Sequence, residues 1–384
     1  MDDLAQTREI LSDLIAYPTV SSDSNLDMIG YLASRLEDLG AGIDIFHDET
    51  GKKANLFATF GPAADGGILL SGHTDVVPVT DQEWSHDPFE MNANGGLLYG
   101  RGACDMKGFI AAVLAKAPTF KDRVSTRPIH FSFTYDEETG CIGAGNLAKD
   151  LVDKGIHPAI AIVGEPTDMR IIEGHKGCYE YSTHFHGLEG HGSTPDAGVN
   201  AVEYAVRYVA QLLELKTELK SRAPENSRFE PPWTTLNVGG LNGGVAHNVI
   251  ASRAQIDWEM RPVQSADASL VKDRLHELCR DKLLPEMRAI YPDATIRLET
   301  IGEVDGLEPT DDNLARKIVT ELTGANTADT VPFGTEAGIF QKLGMDVVVC
   351  GPGSIDQAHK ADEFVSEDQL VKCLDMLERL SQKL

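Results

Sequence analysis

Apolar residues recur at helical spacing in some stretches of this chain and cluster into short runs in others, and the two textures alternate. Leu4, Ile10, Leu11, Leu14 and Ile15 share one helical face across residues 3–16, and Pro18 ends that helix. Residues 26–39 repeat the pattern up to Gly40. Strand-like runs follow at 43–46, 55–60 and 68–71, after which a glycine-punctuated loop leads to a helix starting near Lys107. A run at 129–135, a helical stretch at 144–154 and a further run at 159–163 continue the alternation. Strands alternating with helices predict an α/β fold with a mainly parallel central sheet covered by helices on both faces.

From about residue 179 the pattern changes. Strand patterns at 179–185, 235–238 and 254–260 surround a long helix at 201–215 and a proline-rich loop at 224–232. The block 179–301 therefore reads as an inserted α+β domain with a ferredoxin-like order of strands and helices. Beyond it the α/β alternation resumes, with helices at 313–322 and 337–343, a strand at 346–350 and a closing helix from Glu367. A chain of 384 residues exceeds what one core usually supports. Residues 1–178 and 302–384 are expected to form one domain and the insertion a second.

Several apolar runs end in groups that can carry chemistry. His73-Thr74-Asp75 lies between the runs 68–70 and 76–79, and Asp105 sits among Gly100, Gly102 and Gly108, which permit tight turns around it. Glu137 and Glu138 close the run 129–135, and Glu165 closes 159–163. In open α/β sheets the carboxyl ends of strands deliver side chains to a cleft. Each acid alone reads as a solvated turn residue, the commoner case, but three strands ending this way argue for a shared rim. With His359 the collection is His73, Asp75, Asp105, Glu137, Glu138, Glu165 and His359. Crowded carboxylates force one another's pKa upward unless a counter-charge is present, and divalent cations supply one. A histidine–carboxylate set suits a two-metal hydrolytic centre better than a structural zinc, which would draw on cysteine.

Composition narrows the partners. A formal net charge of −26 opposes binding to nucleic acid or to an anionic membrane, and mildly favours a cationic substrate. The six cysteines form no C-x-x-C pair, which suits reduced thiols and a cytoplasmic location. The acidic, amphipathic N-terminus is unlike a secretory signal, and no apolar run is long enough to span a bilayer.

The series GHTDVVP, GRGACDMKG, DEETG, GEPT and QAHKADE, in this order, resembles the dinuclear-zinc aminoacylase and carboxypeptidase superfamily across essentially the whole chain. The details W-x-x-DPF (Trp84, Asp87, Phe89), EGHKG, GHGSTPDAGVNA, GTEAGIFQ and GPGSIDQAH most resemble its acetylornithine deacetylase branch. That resemblance implies two divalent ions, zinc or alternatively cobalt. His73 and Glu165 would hold one, Glu138 and His359 the other, and Asp105 would lie between them. Asp75 would accept the second ring N–H of His73, and Glu137 would be the general base. It further implies a cis peptide between Asp105 and Met106, and a homodimer formed through the insertion, whose His191 would stabilise the oxyanion, often in the neighbouring subunit. Arg261 and Asn248 would hold the substrate carboxylate, for which a guanidinium fork is well shaped. For Arg261 the bland alternative is an ordinary salt bridge. Thr335, Gly353 and Ser354 would line the pocket. Two departures stand out, namely Ala251 where the branch has proline after Asn248-Val249-Ile250, and Cys104 at a position that varies between activities. The implied reaction is removal of the acetyl group from an N-acetylated ornithine. A succinyl-diaminopimelate desuccinylase or broad aminoacylase would share every ligand, and a binding protein without turnover would not need Glu137.

Overall fold

Four of the apolar runs become the centre of a large sheet in the computed structural model, which describes residues 2–384. The strands Ile129–Thr134, Ile68–His73, Ile160–Pro166 and Asp346–Gly351 lie side by side in that order and all pair in parallel. Nearly every residue in them is buried, as continuous apolar runs covered on two faces require. The registers His73↔Thr134 and Ser71↔Val163 bring the strand ends level, so that the turns after them open on one rim.

The strands next to the parallel centre run antiparallel to it. Gly42–His47 and Ala54–Phe60 extend the sheet on one side, Ile171–His175 and Ala328–Val331 on the other. Hairpin-like additions need no crossover helix, so they leave no mark on the strand–helix alternation that announces the parallel centre. The helix Lys107–Arg123, buried continuously from Lys107 to Ala117, packs with Asp3–Ile15 and Glu367–Ser381. Helices Leu26–Asp38, Ile142–Lys154, Leu314–Thr323 and Ala337–Lys342 complete the layers. Apart from the terminal residues His175 and Val331 of two flank strands, these elements belong to one unit made of residues 1–174, 309–330 and 335–384.

The second unit comprises residues 175–308 and 331–334. Its four-stranded antiparallel sheet has the spatial order Thr235–Gly243, Arg253–Arg261, Cys178–His186, Thr295–Val304. With helices Ala201–Ser221 and Ser265–Leu278 between strands, the succession is βαββαβ, the ferredoxin-like arrangement. Tyr181, Trp258, Tyr208 and Leu212 fill the space between sheet and helices. The long helix runs six residues further than its apolar spacing predicts, because Leu219 continues the buried face. Two pieces carry little sequence signal. Thr295–Val304 is an edge strand in which only Val304 is buried, and Ser265–Leu278 continues through the π turn Cys279–Leu283 into Leu284–Ile290. Among the described residues no helix is long and apolar enough to cross a membrane.

Candidate metal centre

The rim of the parallel strands gathers the acids and imidazoles of the larger unit. His73 is the last residue of its strand and is 1% exposed. Its Nε2 lies 2.9 Å from Asp105 Oδ1 and 3.7 Å from Glu165 Oε1. On the far side of Asp105, His359 Nε2 lies 3.4 Å from Oδ2 and 3.0 Å from Glu138 Oε2. The two oxygens of one carboxylate thus face two imidazoles, each of which has a further carboxylate beside it. Asp105 is held in the turn before Lys107–Arg123, and its peptide to Met106 is cis.

Two ligand sets satisfy the spacing a cation needs. Ligand atoms of His73, Glu137 and Glu165 lie within 4.8 Å of one another, as do those of His73, Asp105 and Glu138. A second observation points the same way: Glu165 Oε1 is buried and accepts no hydrogen bond. An orphaned carboxylate oxygen is costly in a dry site unless a cation meets it, so these residues fit divalent ions.

The electrostatics of the metal-free chain point in the same direction. Burial opposes charge on His73, but Glu165 and the hydrogen-bonded Asp105 outweigh it and raise its pKa well above the ordinary value. Hydrogen bonds to Asp105 and Glu138 raise His359 to about 10. Burial raises Glu165 to about 8 against the opposing pull of His73. Burial and then Glu165 push Glu137 well up, and burial and then Asp105 raise Glu138. Asp105 alone moves down, because the hydrogen bonds from His359 and His73 overcome its burial. Protons shared among carboxylates and imidazoles do here what divalent cations do better.

Asp75 departs from expectation. The Nδ1 of His73 is 2.9 Å from the backbone carbonyl of Asp75, whereas the Asp75 carboxylate is 3.6 Å away. That carboxylate instead accepts from Ser21 Oγ at 2.7 Å and from the backbone N–H groups of Glu137 at 3.0 Å and Glu138 at 3.3 Å. The strand stops at His73, so the chain turns before Asp75 and its side chain swings to the neighbouring turn. Asp75 therefore fixes the His73 ring through its main chain and the Glu137–Glu138 turn through its side chain. The thiol of Cys141 lies 3.4 Å from Glu137 Oε1, a further contact on that acid.

Other residues singled out in the sequence divide between the units. Thr335 is buried, and its Oγ1 accepts from the Ala337 N–H at 3.1 Å. Gly353 has φ +90, a left-handed turn suited to glycine, and its carbonyl accepts from the Asp168 N–H. Ser354 bridges to Thr167 and caps the turn Ile355–Gln357. In the second unit His191 is exposed, and its Nδ1 accepts from the Ser193 N–H at 3.2 Å, with Ser193 Oγ 2.7 Å away. An accepting Nδ1 leaves the proton on Nε2, so the ring offers a donor. Arg261 is forked onto Glu259 at 3.1 and 2.8 Å, the ordinary salt bridge weighed against a substrate role. The Asn248 carbonyl accepts from the Gly192 N–H at 2.8 Å, which ties its loop to that of His191.

Sequence reasoning passed over three buried acids and bases beside the centre. Glu336, in the GTEAG segment, is fully buried and accepts from Ser71 Oγ and, at 2.7 Å, from Thr134 Oγ1, beneath the strand ends. Arg101 and Glu363 form an ion pair of 2.7 Å with each side chain 1% exposed. A charged residue in a glycine-rich turn was the available signal for Arg101, since charges seldom stay buried without purpose.

Known proteins resemble this chain in sequence and in fold. The chain is 37% identical over 365 residues to a protein named acetylornithine deacetylase from Proteus mirabilis, covering 93% of this chain and 91% of the relative. The solved structure of aminopeptidase PepT from Bacillus cereus superposes with a TM-score of 0.71 at 17% identity, covering 99% of this chain and 98% of that one. A dinuclear metal binding peptidase of the M20 family from Bacillus subtilis does so with 0.64 at 16% identity, covering 99% and 98%. At these identities the structural likenesses speak for the fold. Residues 69–383 match peptidase family M20/M25/M40. The chain thus belongs to that family and is a metal-dependent amidohydrolase.

Proposed function

We propose that this enzyme hydrolyses N2-acetyl-L-ornithine to L-ornithine and acetate, the step that yields ornithine for arginine biosynthesis. The observation that carries the reading is the paired ligand geometry around Asp105 with Glu137 beside it, read together with the name of the relative at 37% identity. His73 and Glu165 would hold one divalent ion, Glu138 and His359 the other, with Asp105 between them. Zinc suits such nitrogen and oxygen donors, and cobalt is the alternative. When bound, the ions polarise the acyl carbonyl and make water a stronger nucleophile at neutral pH.

The chain's own groups do the rest. Glu137, beside the ligand set and partly buried, is placed to take the proton from the attacking water and return it to the departing amine as the C–N bond breaks. Asp75 holds the turn that aims Glu137 and Glu138. The Nε2–H of His191 is the candidate donor to the oxyanion, and Arg261 and Asn248 are the candidates for the α-carboxylate. Thr335, Gly353 and Ser354 would line the pocket. The second unit would serve as lid and dimerisation domain. Exposed Val206 and Leu213 on Ala201–Ser221 and Leu241 on the edge strand Thr235–Gly243 offer an apolar face for a second copy.

Initial rates of the metal-loaded enzyme on N2-acetylornithine, N-succinyl-diaminopimelate and N-acetylmethionine decide the substrate. The highest kcat/KM is expected for acetylornithine. A preference for the succinyl compound would make this chain a desuccinylase, and equal rates on all three a broad aminoacylase. Absence of turnover on every compound would leave only a binding role.

A further inference from the structure

The loop that carries His359 is tied to the loop that carries Asp105 by a bracket of side chains with a buried ion pair at its centre. Glu363, four residues after His359, collects donors from the other loop: Arg101 Nη1 at 2.7 Å and the backbone N–H groups of Gly102 at 3.1, Cys104 at 2.9 and Asp105 at 3.0 Å. Arg101 reaches back in the opposite direction. Its Nη1 donates to the Lys360 carbonyl at 3.3 Å and its Nη2 to Gln82 Oε1 at 2.6 Å. Gln82 Nε2 in turn donates to the carbonyl of His359 itself at 2.8 Å. Trp84 closes the bracket, its ring 5.0 Å from the guanidinium carbon of Arg101 and its Nε1 donating to Gln82 Oε1 at 3.1 Å. Asp362 adds a tie by accepting from the N–H and Oγ of Ser85.

The two imidazoles differ in how much such support they need. His73 ends a buried central strand and inherits its position from the sheet. His359 sits in a loop with its side chain 54% exposed, and its backbone has φ +63, a left-handed conformation that a non-glycine residue adopts only when its surroundings impose it. A buried Arg–Glu pair adds little to the stability of a fold by itself, since the desolvation of both charges offsets their attraction. What this pair does in return is geometric, because every bond of Arg101, Glu363 and Gln82 ends on backbone within four residues of His359 or Asp105, or on a side chain of the bracket itself.

We infer that Arg101, Glu363 and Gln82 are positioning residues for one divalent-cation position of the two, the one that His359 and Glu138 complete, and that they thereby set the difference in affinity between the two ions. The inference rests on the two-ion reading of the centre. Residues that orient metal ligands without touching the ion typically change metal affinity by about 10–100-fold when replaced. Glu363→Gln removes the charge that gathers Arg101 and the three amides. Gln82→Ala is the milder change, because it cuts the link between Arg101 and the His359 carbonyl while leaving the buried ion pair in place.

The test titrates Zn2+ alone into metal-free wild type, Glu363→Gln and Gln82→Ala against a chromophoric chelator, with the thermal midpoint of each metal-free protein measured alongside. The wild type is expected to take two ions per chain. Gln82→Ala is expected to bind the first with wild-type affinity and the second about 10–100-fold more weakly, with its metal-free midpoint unchanged, whereas Glu363→Gln, which also releases the Asp105 amide, is expected to weaken both ions and the second more. If Glu363→Gln does not fold, Gln82→Ala decides alone. Wild-type affinities for both ions in folded Gln82→Ala would overturn the inference and leave the two-ion reading standing, and so would equal weakening of both ions. A wild type that never takes more than one ion would overturn the two-ion reading, and this inference with it.

Discussion

His130 offers a test of the fold that owes nothing to the metal centre. It lies in the strand Ile129–Thr134, 5% exposed, with its ring stacked on Phe57 at a centroid separation of 5.1 Å and its Nδ1 2.8 Å from Thr59 Oγ1. The other ring nitrogen faces the Gly67 backbone so closely that a Cβ there would lie 2.5 Å from it. Burial pushes the His130 pKa down to about 4. In the unfolded chain a histidine titrates near 6.5, so between about pH 6.5 and 4 the unfolded state binds the extra proton and stability falls as the pH falls. The contribution is complete above pH 6.5. At pH 4.5 the loss amounts to roughly 2.5 kcal/mol. His130→Gln keeps a polar side chain and cannot titrate, so metal-free wild type should lose about 2.5 kcal/mol more than the variant between pH 7.5 and 4.5. Urea unfolding at the two pH values measures this difference, and the ring-proton NMR titration of His130 measures its cause. His175, also lowered to about 4 by burial, titrates in both proteins and cancels. The same pH dependence in wild type and variant, or a His130 titration near its ordinary value, would refute the reasoning.

The remaining expectations concern packing, chemistry and assembly. A Cβ at Gly164 would sit 2.0 Å from the Phe109 ring, so Gly164→Ala should destabilise by about 1–3 kcal/mol in chemical denaturation, with partial recovery when Phe109→Leu is added. Glu137→Gln should keep its metal while turnover falls by about 100- to 10,000-fold, whereas Asp105→Ala should lose metal as well; near-normal turnover in Glu137→Gln would show that the proton takes another route. Mixing inactive His191→Ala with inactive Glu137→Gln should restore activity if His191 completes the site of a second copy. No recovery after demonstrated subunit exchange would place its action within one chain.

Much of the centre was legible because the same physics writes it into the sequence and the fold. A parallel strand buried on both faces must be an apolar run, and its polar terminus is then conspicuous, which is how His73, Glu137, Glu138 and Glu165 announce themselves. His359 has no such frame, since it lies eight residues past the buried strand Asp346–Gly351 and beyond the turn Ile355–Gln357, and only the resemblance in QAHKADE singled it out. For Asp75 the resemblance implied a side-chain contact to His73, whereas the strand ends at His73 and the nearer contact is the Asp75 backbone carbonyl. Arg101 and Glu363 are separated by 262 positions, so neither residue reveals its partner until the loops meet. The polar edge strand Thr295–Val304 escaped for the complementary reason that it buries too little to impose a pattern.

The most direct test of the two-ion hydrolytic centre is a titration of the metal-free enzyme in which bound ions per chain and the rate of acetate release from N2-acetylornithine are followed together. The account requires uptake to reach two ions per chain, with full activity attained only as the second is filled, and requires His359→Ala to stop at one ion with most of the activity lost. Uptake that ends at one ion with full activity, and a His359→Ala protein indistinguishable from wild type, would contradict it.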